Sequence, residues 1–246
     1  MFETISIEKA MLYEQYRLPY PGEMVDDFLR LTGHAEIVAD IGAGTGQLAR
    51  LFAKNCNTVY AVEPDSSMRK VAIEAVKDYP NITIIDAFAE QTTLPANTID
   101  LIVVGNAFHR FKGDAITELL RILKKSGWIA VISYTFTDRS FSEMLFSRLG
   151  ELPGLAARES KTWHRTPIEN LFEDNPIHTL NYTQSANEDW EAFWGAARSG
   201  IEAPEPGDAD FARFKEINQE VFDTFSVDGH IRIDYETGVI FGQPAL

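Results

Sequence analysis

Three glycines and two acidic residues have types and spacing that could bind a small ligand. Gly42, Gly44 and Gly46 follow Asp40 in the stretch DIGAGTG, and Glu63 stands 17 positions after the last glycine. Glycine permits positive φ and lacks the Cβ that would keep a ligand away from the main chain. A carboxylate can accept hydrogen bonds from both hydroxyl groups of a ribose. These residues therefore indicate a site where a nucleoside rests on bare backbone beside a carboxylate.

The residues around the glycines predict the strand–turn–helix–strand unit that such a site needs. Glu36–Ile41 is an apolar run typical of a buried strand, Gln47–Lys54 has helical spacing, and Thr58–Glu63 is a second strand. The turn would lie at the carboxyl edge of a sheet, where α/β folds bind ligands, and the helix after it would offer unpaired N–H groups. This context favours a binding site over a simple tight turn and a solvated strand end.

The glycine spacing separates two classes of cofactor. Dinucleotide-binding folds favour G-x-G-x-x-G, in which the third glycine lets the helix approach a pyrophosphate. Here the pattern is G-x-G-x-G, and Gln47 occupies the position of the third glycine. A ligand without phosphates does not need a glycine there. The spacing thus argues against a nicotinamide-dependent oxidoreductase, which we keep as the alternative enzyme class.

Alternating strands and helices predict the fold class. Continuous apolar strands separated by helices are typical of a parallel sheet that is covered on both faces. We expect an α/β fold with a Rossmann-like, seven-stranded, mostly parallel sheet, helices on both faces and an antiparallel C-terminal strand, in a single domain over residues 1–246. The final strand has a candidate bulge or turn near Thr237-Gly238. The predicted strands are 36–41, 58–63, 82–85, 99–105, 128–134, 178–183 and 230–241, and the predicted helices are 47–54, one from Ser66, 115–124, 187–198 and about 209–225.

Composition and charge narrow the class of partner. The net charge of −15 disfavours nucleic acid as a partner, because an acidic surface repels phosphate backbones. The single cysteine, Cys56, cannot form an intramolecular disulfide and fits a reducing compartment. No apolar run approaches the ~20 residues of a membrane span. We therefore expect a cytoplasmic protein with no membrane association and no metal, and we leave its oligomeric state open.

Four stretches of the sequence resemble the class I methyltransferases that depend on S-adenosylmethionine (SAM). VADIGAGTGQLA resembles their motif I, and VEPDSSM resembles their second motif. AEQTTLPANTIDLIVVGNAFHRF and YEQYRLPYP resemble stretches of the trans-aconitate-type and related small-molecule group, also called methyltransferase type 11. The resemblance covers about residues 10–135. It implies transfer of a methyl group from SAM to a small-molecule acceptor by in-line displacement, with a non-catalytic SAM-binding protein as a further alternative.

The resemblance implies a set of contacts to SAM at the glycine stretch and the second strand. Asp40 would face the amino acid end of SAM, and Glu63 would hold its ribose hydroxyls. Neighbouring residues would lie against the cofactor through their backbones. The residues in this set are Asp40, Gly42, Ala43, Gly44, Glu63 and Pro64.

The segment after the third predicted strand departs from the common family pattern. Many relatives carry Asp-Ala where this chain has Phe88-Ala89. Phe88 cannot accept a hydrogen bond from the adenine amino group. Backbone N–H groups at Ala89 or Glu90, or the Glu90 carboxylate, are the remaining candidates for adenine recognition.

Two further regions would complete the site by the same resemblance. Backbone carbonyls near Gly105 and Asn106 would meet the ammonium group of SAM, and His109 is the candidate catalytic residue, as a base or as a carboxylate binder. A structural histidine is the alternative for His109. The N-terminal segment would fold over SAM as a lid, with Arg17 on the SAM carboxylate and Tyr16 beside the sulfonium. An ordinary amphipathic helix is the alternative there.

Aromatic and basic residues in the second half are candidates for the acceptor pocket. Trp190 and Trp194 have helical spacing, which favours core packing for both. The others lie in loops or at a strand end, where functional residues are common. The full set is Tyr134, Trp163, His164, Arg165, Trp190 and Trp194.

Overall fold

The fold is given by a computed structural model, which describes residues 4–33, 35–162, 168–172 and 175–244. Helices and strands alternate through the first half, as the apolar pattern predicts. The strands are β1 (Ile37–Ile41), β2 (Thr58–Val62), β3 (Ile82–Ile85), β4 (Ile99–Gly105), β5 (Leu123–Phe136), β6 (Ile177–Asp189), β7 (Ser226–Val227) and β8 (His230–Gly242). The α-helices are α1 (Ile7–Tyr16), α2 (Glu23–Thr32), α3 (Gln47–Ala53), α4 (Ser66–Ala75), α5 (Gly113–Ile122), α6 (Arg139–Leu149), α7 (Pro153–Thr162), α8 (Trp190–Arg198) and α9 (Phe211–Phe225).

The sheet has the predicted Rossmann-like arrangement. Its strand order is β3-β2-β1-β4-β5-β8-β6, and β1 to β5 pair in parallel. β8 runs antiparallel to both β5 and β6, which confirms the antiparallel C-terminal strand. In the described residues an eighth strand, the two-residue β7, pairs with β8 at the turn that leads into it. The prediction of seven strands missed β7 because two residues are too short for a periodic pattern.

Helices pack on both faces of the sheet. On one face, Met24 and Phe28 of α2 and Leu48 of α3 pack against β1, β5 and β8. On the other face, Leu119 and Ile122 of α5 pack against β1 and β4. The predicted two-sided covering is therefore confirmed, and the carboxyl ends of β1, β2, β4 and β5 meet at one edge.

Several boundaries differ from the sequence prediction, and two of the differences arise because strand pairing extends a strand. Leu123 pairs with Ile99, so Lys124 belongs to β5 and donates to Asp100 (2.6 Å) instead of ending a helix. At the other end of the sheet, β6 continues to Asp189, so α8 begins at Trp190 rather than near Asn187.

The last strand is continuous through the predicted break. Thr237 pairs with Tyr134, and Gly238 pairs with Ser133, in unbroken register with the residues on either side. The bulge or turn predicted there is wrong. A Cβ at Gly238 would lie 3.4 Å from Oδ1 of Asn181 on β6, so neither a break nor a close contact accounts for the glycine.

Aromatic side chains fill the region between the sheet and the second-half helices. Trp190 and Trp194 stack with ring centroids 5.8 Å apart and nearly parallel planes, 3° from each other. Trp190 packs with Phe193 and Phe222, and Trp194 packs with Phe214. Core packing is therefore confirmed for both tryptophans. Along the described ranges, no helix combines the length and apolar character needed to cross a membrane.

Candidate active site

The glycine stretch forms a tight turn at the end of β1. Gly42, Gly44 and Gly46 have φ values of 74°, 57° and 82°, a region that L residues rarely adopt. The backbone N–H groups of Gly42 and Ala43 donate to the Val62 carbonyl of β2 at 2.9 and 3.0 Å. The turn is thereby held against the neighbouring strand by its own main chain.

Glu63 lies directly beside this turn. Its Oε2 accepts from the Gly44 N–H and its Oε1 accepts from the Asp65 N–H, each at 2.8 Å. Each carboxylate oxygen keeps further acceptor capacity. Burial raises the pKa of Glu63 to about 7, against the opposing effect of these two backbone hydrogen bonds. Pro64 follows it, half-buried. The two features that the sequence singles out therefore meet in space.

Asp40 is fully buried beneath the turn. Its carboxylate accepts from the Ala49 N–H in the first half of α3 at 3.0 Å. Burial raises its pKa to about 7, the Ala49 hydrogen bond lowers it, and the charge of Glu63 raises it further. Two carboxylates thus share one low-dielectric region at the sheet edge.

Asp65 has the capping role that its position before α4 suggests. Its Oδ1 accepts from the N–H groups of Ser67 and Met68, both at 2.8 Å. Its Oδ2 accepts from the Ile5 N–H at 2.9 Å, which ties the N-terminal segment to the start of α4.

Helix α1 covers the glycine turn. A Cβ built on Gly44 would lie 3.8 Å from Cε1 of Tyr13, so the Tyr13 ring rests over that glycine. The Arg17 guanidinium carbon lies 5.2 Å from the Tyr13 ring centroid and 5.5 Å from that of Tyr134. Its Nε is buried without a hydrogen-bond partner. A buried guanidinium edge of this kind is a ready partner for an anion.

Polar contacts anchor α1 on both of its sides. Toward the first half, Glu14 accepts from Arg50 of α3 at 2.8 Å. Toward the second half, Glu8 accepts from Arg198 of α8 at 2.6 Å. The buried Lys9 donates to the Ala203 carbonyl at 2.7 Å. The helix therefore bridges the glycine turn and the second-half helices.

Tyr16 points toward α8. Its hydroxyl donates to Glu191 at 3.1 Å, and its ring packs so closely on Gly195 that no side chain would fit there. The structure therefore places Tyr13, and not Tyr16, beside the glycine turn. The role of Tyr16 beside the sulfonium stays a prediction.

The end of β4 contributes a second strained turn. Asn106 has φ of 49°, and its N–H donates to the Ile132 carbonyl at 2.8 Å. Its side-chain amide donates to the Tyr20 hydroxyl at 2.9 Å. Gly105 is required here, because a Cβ at this position would lie 2.7 Å from that hydroxyl. Tyr20 was missed by the sequence analysis, although YRLPYP was part of the resembling stretch.

His109 lies in a short 3-10 helix, Phe108–Arg110, directly after this turn. Burial lowers its pKa to about 4, and the positive charges of Arg110 and Arg17 add to the decrease. The imidazole is therefore neutral near pH 7. Arg110 forms an ion pair with Glu202, which connects this segment to the loop after α8.

The predicted adenine segment forms a small turn after β3. Gln91 N–H donates to the Phe88 carbonyl at 3.1 Å, the Phe88 side chain is 47% exposed, and Ala89 is buried. The Glu90 Oε1 accepts from the Lys112 N–H at 3.0 Å. The segment thus faces the loop before α5 with its main chain and with the Glu90 carboxylate, of which one oxygen accepts a hydrogen bond.

The candidates for the acceptor pocket separate into groups. Tyr134 joins the Arg17 cluster, whereas Trp190 and Trp194 belong to the aromatic core. Three candidates lie outside the described residues, namely Trp163, His164 and Arg165. Among the described side chains, no group of three or more His, Cys, Asp or Glu residues could hold a metal ion.

This arrangement fits the groups of an adenosyl amino acid. Glu63 offers carboxylate oxygens to a vicinal diol, and Gly44 offers bare main chain next to it. The unpartnered Nε of Arg17 suits a carboxylate, since guanidinium–carboxylate pairs are strong charge-assisted contacts.

Sequence comparisons connect this site to known proteins. The sequence profile of a methyltransferase-domain family matches residues 39–131. An uncharacterized methyltransferase of a Geobacillus strain is 32% identical over 156 residues, which is 60% of this chain and 72% of the relative. Another from Mycobacterium tuberculosis is 32% identical over 128 residues, and the match spans 52% of this chain and 51% of that relative.

Solved structures share the fold over most of the chain. A type II methyltransferase candidate from Anaeromyxobacter dehalogenans superposes with a TM-score of 0.63 at 21% identity, covering 94% of this chain and all of that one, 100%. The YcgJ protein of Bacillus subtilis gives a TM-score of 0.58 at 20% identity, covering 92% of this chain and 100% of the other. With the sequence relatives above, these findings confirm the resemblance: the chain belongs to the class I SAM-dependent methyltransferases, whose methyl donor is SAM.

Proposed function

We propose that this chain transfers the methyl group of SAM to a small-molecule acceptor, with the adenosyl group lying on the Gly42–Gly44 turn. The observation that carries the proposal is the hydrogen bond of 2.8 Å between the Gly44 N–H and Glu63. It fixes a buried carboxylate at the edge of a glycine turn, where a ribose can be held against bare main chain.

The residues of the chain bind and orient the reactants, and SAM supplies the activated methyl group. Glu63 accepts hydrogen bonds from the ribose hydroxyls, and Arg17 pairs with the SAM carboxylate. Asp40 favours the SAM ammonium group through its charge. Tyr13 closes the site from above and excludes water. Holding the nucleophile and the methyl carbon in line can contribute several kcal/mol without a covalent catalyst.

Smaller roles follow from the remaining predicted residues. Pro64 and Ala43 shape the walls beside the ribose, and the carbonyls of Gly105 and Asn106 face the ammonium group. Beside Phe88, the backbone N–H groups of Ala89 or Glu90, or the Glu90 carboxylate, contact the adenine. The engagement of only one Glu90 oxygen supports this role.

His109 acts on the acceptor side as a neutral imidazole. Its low pKa, about 4, supports a role as a hydrogen-bond acceptor or weak base. A neutral imidazole keeps one N–H donor, so it can hydrogen-bond to an acceptor carboxylate but does not form an ion pair with it.

Other features support a small soluble acceptor and a single domain. The net charge of −15 disfavours polyanionic acceptors such as nucleic acid. The buried, unpaired Cys56 supports a reducing compartment such as the cytoplasm. Core residues of β8, Val239 and Phe241, pack with those of α2, which supports one domain built from both halves.

Isothermal titration with SAM tests the proposal through Glu63→Gln. The glutamine amide would place an NH₂ group against the N–H of Gly44 or of Asp65, and the ribose would lose a charged hydrogen-bond acceptor. We expect SAM binding to weaken by about 2 kcal/mol. Glu74→Gln, on the exposed surface of α4, is the matched control and should bind as wild type.

The same titration separates the competing functions. Wild-type protein that binds NAD and not SAM would support the oxidoreductase. SAM binding without turnover across a broad acceptor panel would support a non-catalytic SAM-binding protein. Unchanged SAM affinity in folded Glu63→Gln would reject the ribose role.

A further inference from the structure

Glu188, near the end of β6, is a carboxylate without an internal partner. It is half-buried and pairs across the sheet with the fully buried Ile231 of β8. Among the described residues, no side chain or backbone group donates a hydrogen bond to it or forms an ion pair with it. The buried carboxylates of Asp40, Glu63 and Glu118 all have such donors.

Glu188 lies on the face of the sheet that carries the Arg17 cluster. Residues directly opposite each other in the sheet share a face, and the row of β6 that contains Glu188 also contains Gln184. Gln184 pairs with Tyr235 of β8 and donates to the Pro19 carbonyl at 3.2 Å. The Tyr235 hydroxyl donates to the same carbonyl, also at 3.2 Å. The segment that follows Arg17 therefore covers this face.

The charge of Glu188 reaches the tyrosines of this cluster. Burial raises the pKa of both Tyr134 and Tyr235, and the negative charge of Glu188 adds to both increases. Tyr134 also stands over Arg17. Tyr134 is thus influenced by the charges of both Arg17 and Glu188.

An unpaired carboxylate in an apolar setting is costly for folding. Burial raises the pKa of Glu188 to about 7, and the negative charge of Asp189 adds a smaller increase. Asp189 cannot relieve this cost, because it is itself a carboxylate, and it caps α8 by accepting from the Ala192 N–H at 2.9 Å. A position used only for packing would be more stable with an apolar residue, such as Ala186, which lies two residues earlier on the same face of β6. The unpaired carboxylate is therefore open to a cationic partner from outside the chain.

We propose that Glu188 binds a cationic amino group of the methyl acceptor, so that the acceptors of this enzyme are amines or molecules that carry an amino group. This inference rests on the proposed function. It makes Glu188 a specificity-determining residue on the acceptor side, opposite the Arg17 contact to the SAM carboxylate.

Thermal-shift and saturation-transfer NMR measurements on protein saturated with S-adenosylhomocysteine test the inference. The probes are three amines, phenethylamine, butylamine and glycine ethyl ester, each against its alcohol isostere, phenethyl alcohol, butanol and ethyl glycolate. We expect amines to raise Tm and bind, and alcohols to do neither to the same degree. In Glu188→Gln the affinity for the amines should fall at least about tenfold.

The matched control is Glu236→Gln, since Glu236 follows Tyr235 on β8 and so lies on the opposite face of the sheet. It should bind the amines as wild type does. Without probe, Glu188→Gln should have a higher Tm than wild type at pH 8, because an unpaired carboxylate is removed. If Glu188 instead stabilised the fold through internal hydrogen bonds, Glu188→Gln would have a lower Tm than wild type.

The outcomes are separable from those of the proposed function. Wild-type protein that fails to bind S-adenosylhomocysteine would refute the methyltransferase assignment of the site. Normal binding of S-adenosylhomocysteine, with amines no better than alcohols or with amine binding that survives Glu188→Gln, would overturn only the inference about Glu188. Transfer of label from tritiated SAM to the bound amines, reduced in Glu188→Gln, would confirm that the bound amine is an acceptor.

Discussion

Two sets of carboxylates in this molecule are satisfied in different ways. Around the glycine turn, the buried Glu63 and Asp40 accept from backbone N–H groups within one strand–turn–helix–strand unit. On the surface of α9, Glu220 forms ion pairs with Arg148 of α6 and with Arg213 on its own helix. Backbone donors are fixed by the fold, whereas exposed ion pairs depend on long side chains that exchange partners with solvent. The buried set should therefore tolerate substitution less well than the exposed ion pairs.

The largest effect is expected at Gly42. A Cβ there would lie 2.6 Å from the Cβ of Ala107, and its φ of 74° is unfavourable for alanine. We expect Gly42→Ala to lower the free energy of unfolding by about 2–4 kcal/mol, from backbone strain and overpacking together. Urea denaturation measures this change.

Gly113→Ala is the control for that substitution. Gly113 opens α5, and a Cβ there would meet no atom within 4 Å. We expect it to leave stability unchanged or to raise it by up to about 1 kcal/mol. Equal losses at the two glycines would show that the turn is not specially constrained.

A side-chain pair inside the first half sharpens the comparison. Glu118 of α5 accepts from Thr92 N–H at 2.8 Å and Oγ1 at 2.6 Å, and from Arg121, which itself donates to the Leu94 carbonyl. We expect Glu118→Gln to lower stability at pH 7 by about 2 kcal/mol, because buried donors lose a charged acceptor. The hydrogen bond from Arg121 is the main cause that lowers the pKa of Glu118 to about 2.

The pH dependence gives this prediction its check. A carboxyl whose pKa falls on folding stabilises the protein above its unfolded pKa, and the effect is lost as pH falls toward the folded value. The stability difference between wild type and Glu118→Gln should therefore shrink between about pH 4.5 and pH 2. A constant difference across that window would contradict the charged pair.

Asp40→Asn should have a smaller effect of the opposite sign. Burial raises the pKa of Asp40 to about 7, so ionisation of this carboxyl destabilises the folded protein. This destabilisation is absent below about pH 4 and complete above about pH 7. We expect the amide to raise stability at pH 8 by about 1–2 kcal/mol and to make no gain near pH 4. SAM affinity should fall at the same time, because the ammonium group loses a charge.

Thermal unfolding at several pH values measures the change in stability, and titration with SAM measures the change in affinity. Increased stability with unchanged SAM affinity would place Asp40 outside the cofactor contacts. Decreased stability at every pH would show that the Ala49 hydrogen bond outweighs the cost of burying the charge.

The smallest effect is expected in the second half. Glu220→Gln removes ion pairs with Arg148 and Arg213, whose side chains are each at least a third exposed. Exposed pairs of this kind contribute between about 0 and 1 kcal/mol and are screened by salt. The change in stability should be about 0.5 kcal/mol at low salt and close to zero in high salt. A loss as large as that of Glu118→Gln would remove the contrast between buried and exposed carboxylates.

The sequence predicts the cofactor half well because its signals are local. β3 and β4 coincide with the apolar runs at 82–85 and 99–105, and α4 begins at Ser66 as predicted. The meeting of Glu63 with the Gly44 turn also follows from local order, since parallel neighbouring strands end at the same edge.

The rest depends on contacts between distant segments. Tyr20 meets Asn106 across 86 positions, and no local pattern marks that pair. Glu188 has the sequence context of a solvated strand end, and its burial depends on how β8 and α8 close around it. Tyr13 and Tyr16 have similar sequence contexts, and only the packing of α1 on α8 decides which of them faces the glycine turn.

The double anchoring of α1 ties the cover of the glycine turn to the second-half helices. Glu14 accepts from Arg50 of α3 on one flank, and Glu8 accepts from Arg198 of α8 on the other. A displacement of α1 therefore breaks contacts with both helices together, so the two flanks of the site respond to the same movement.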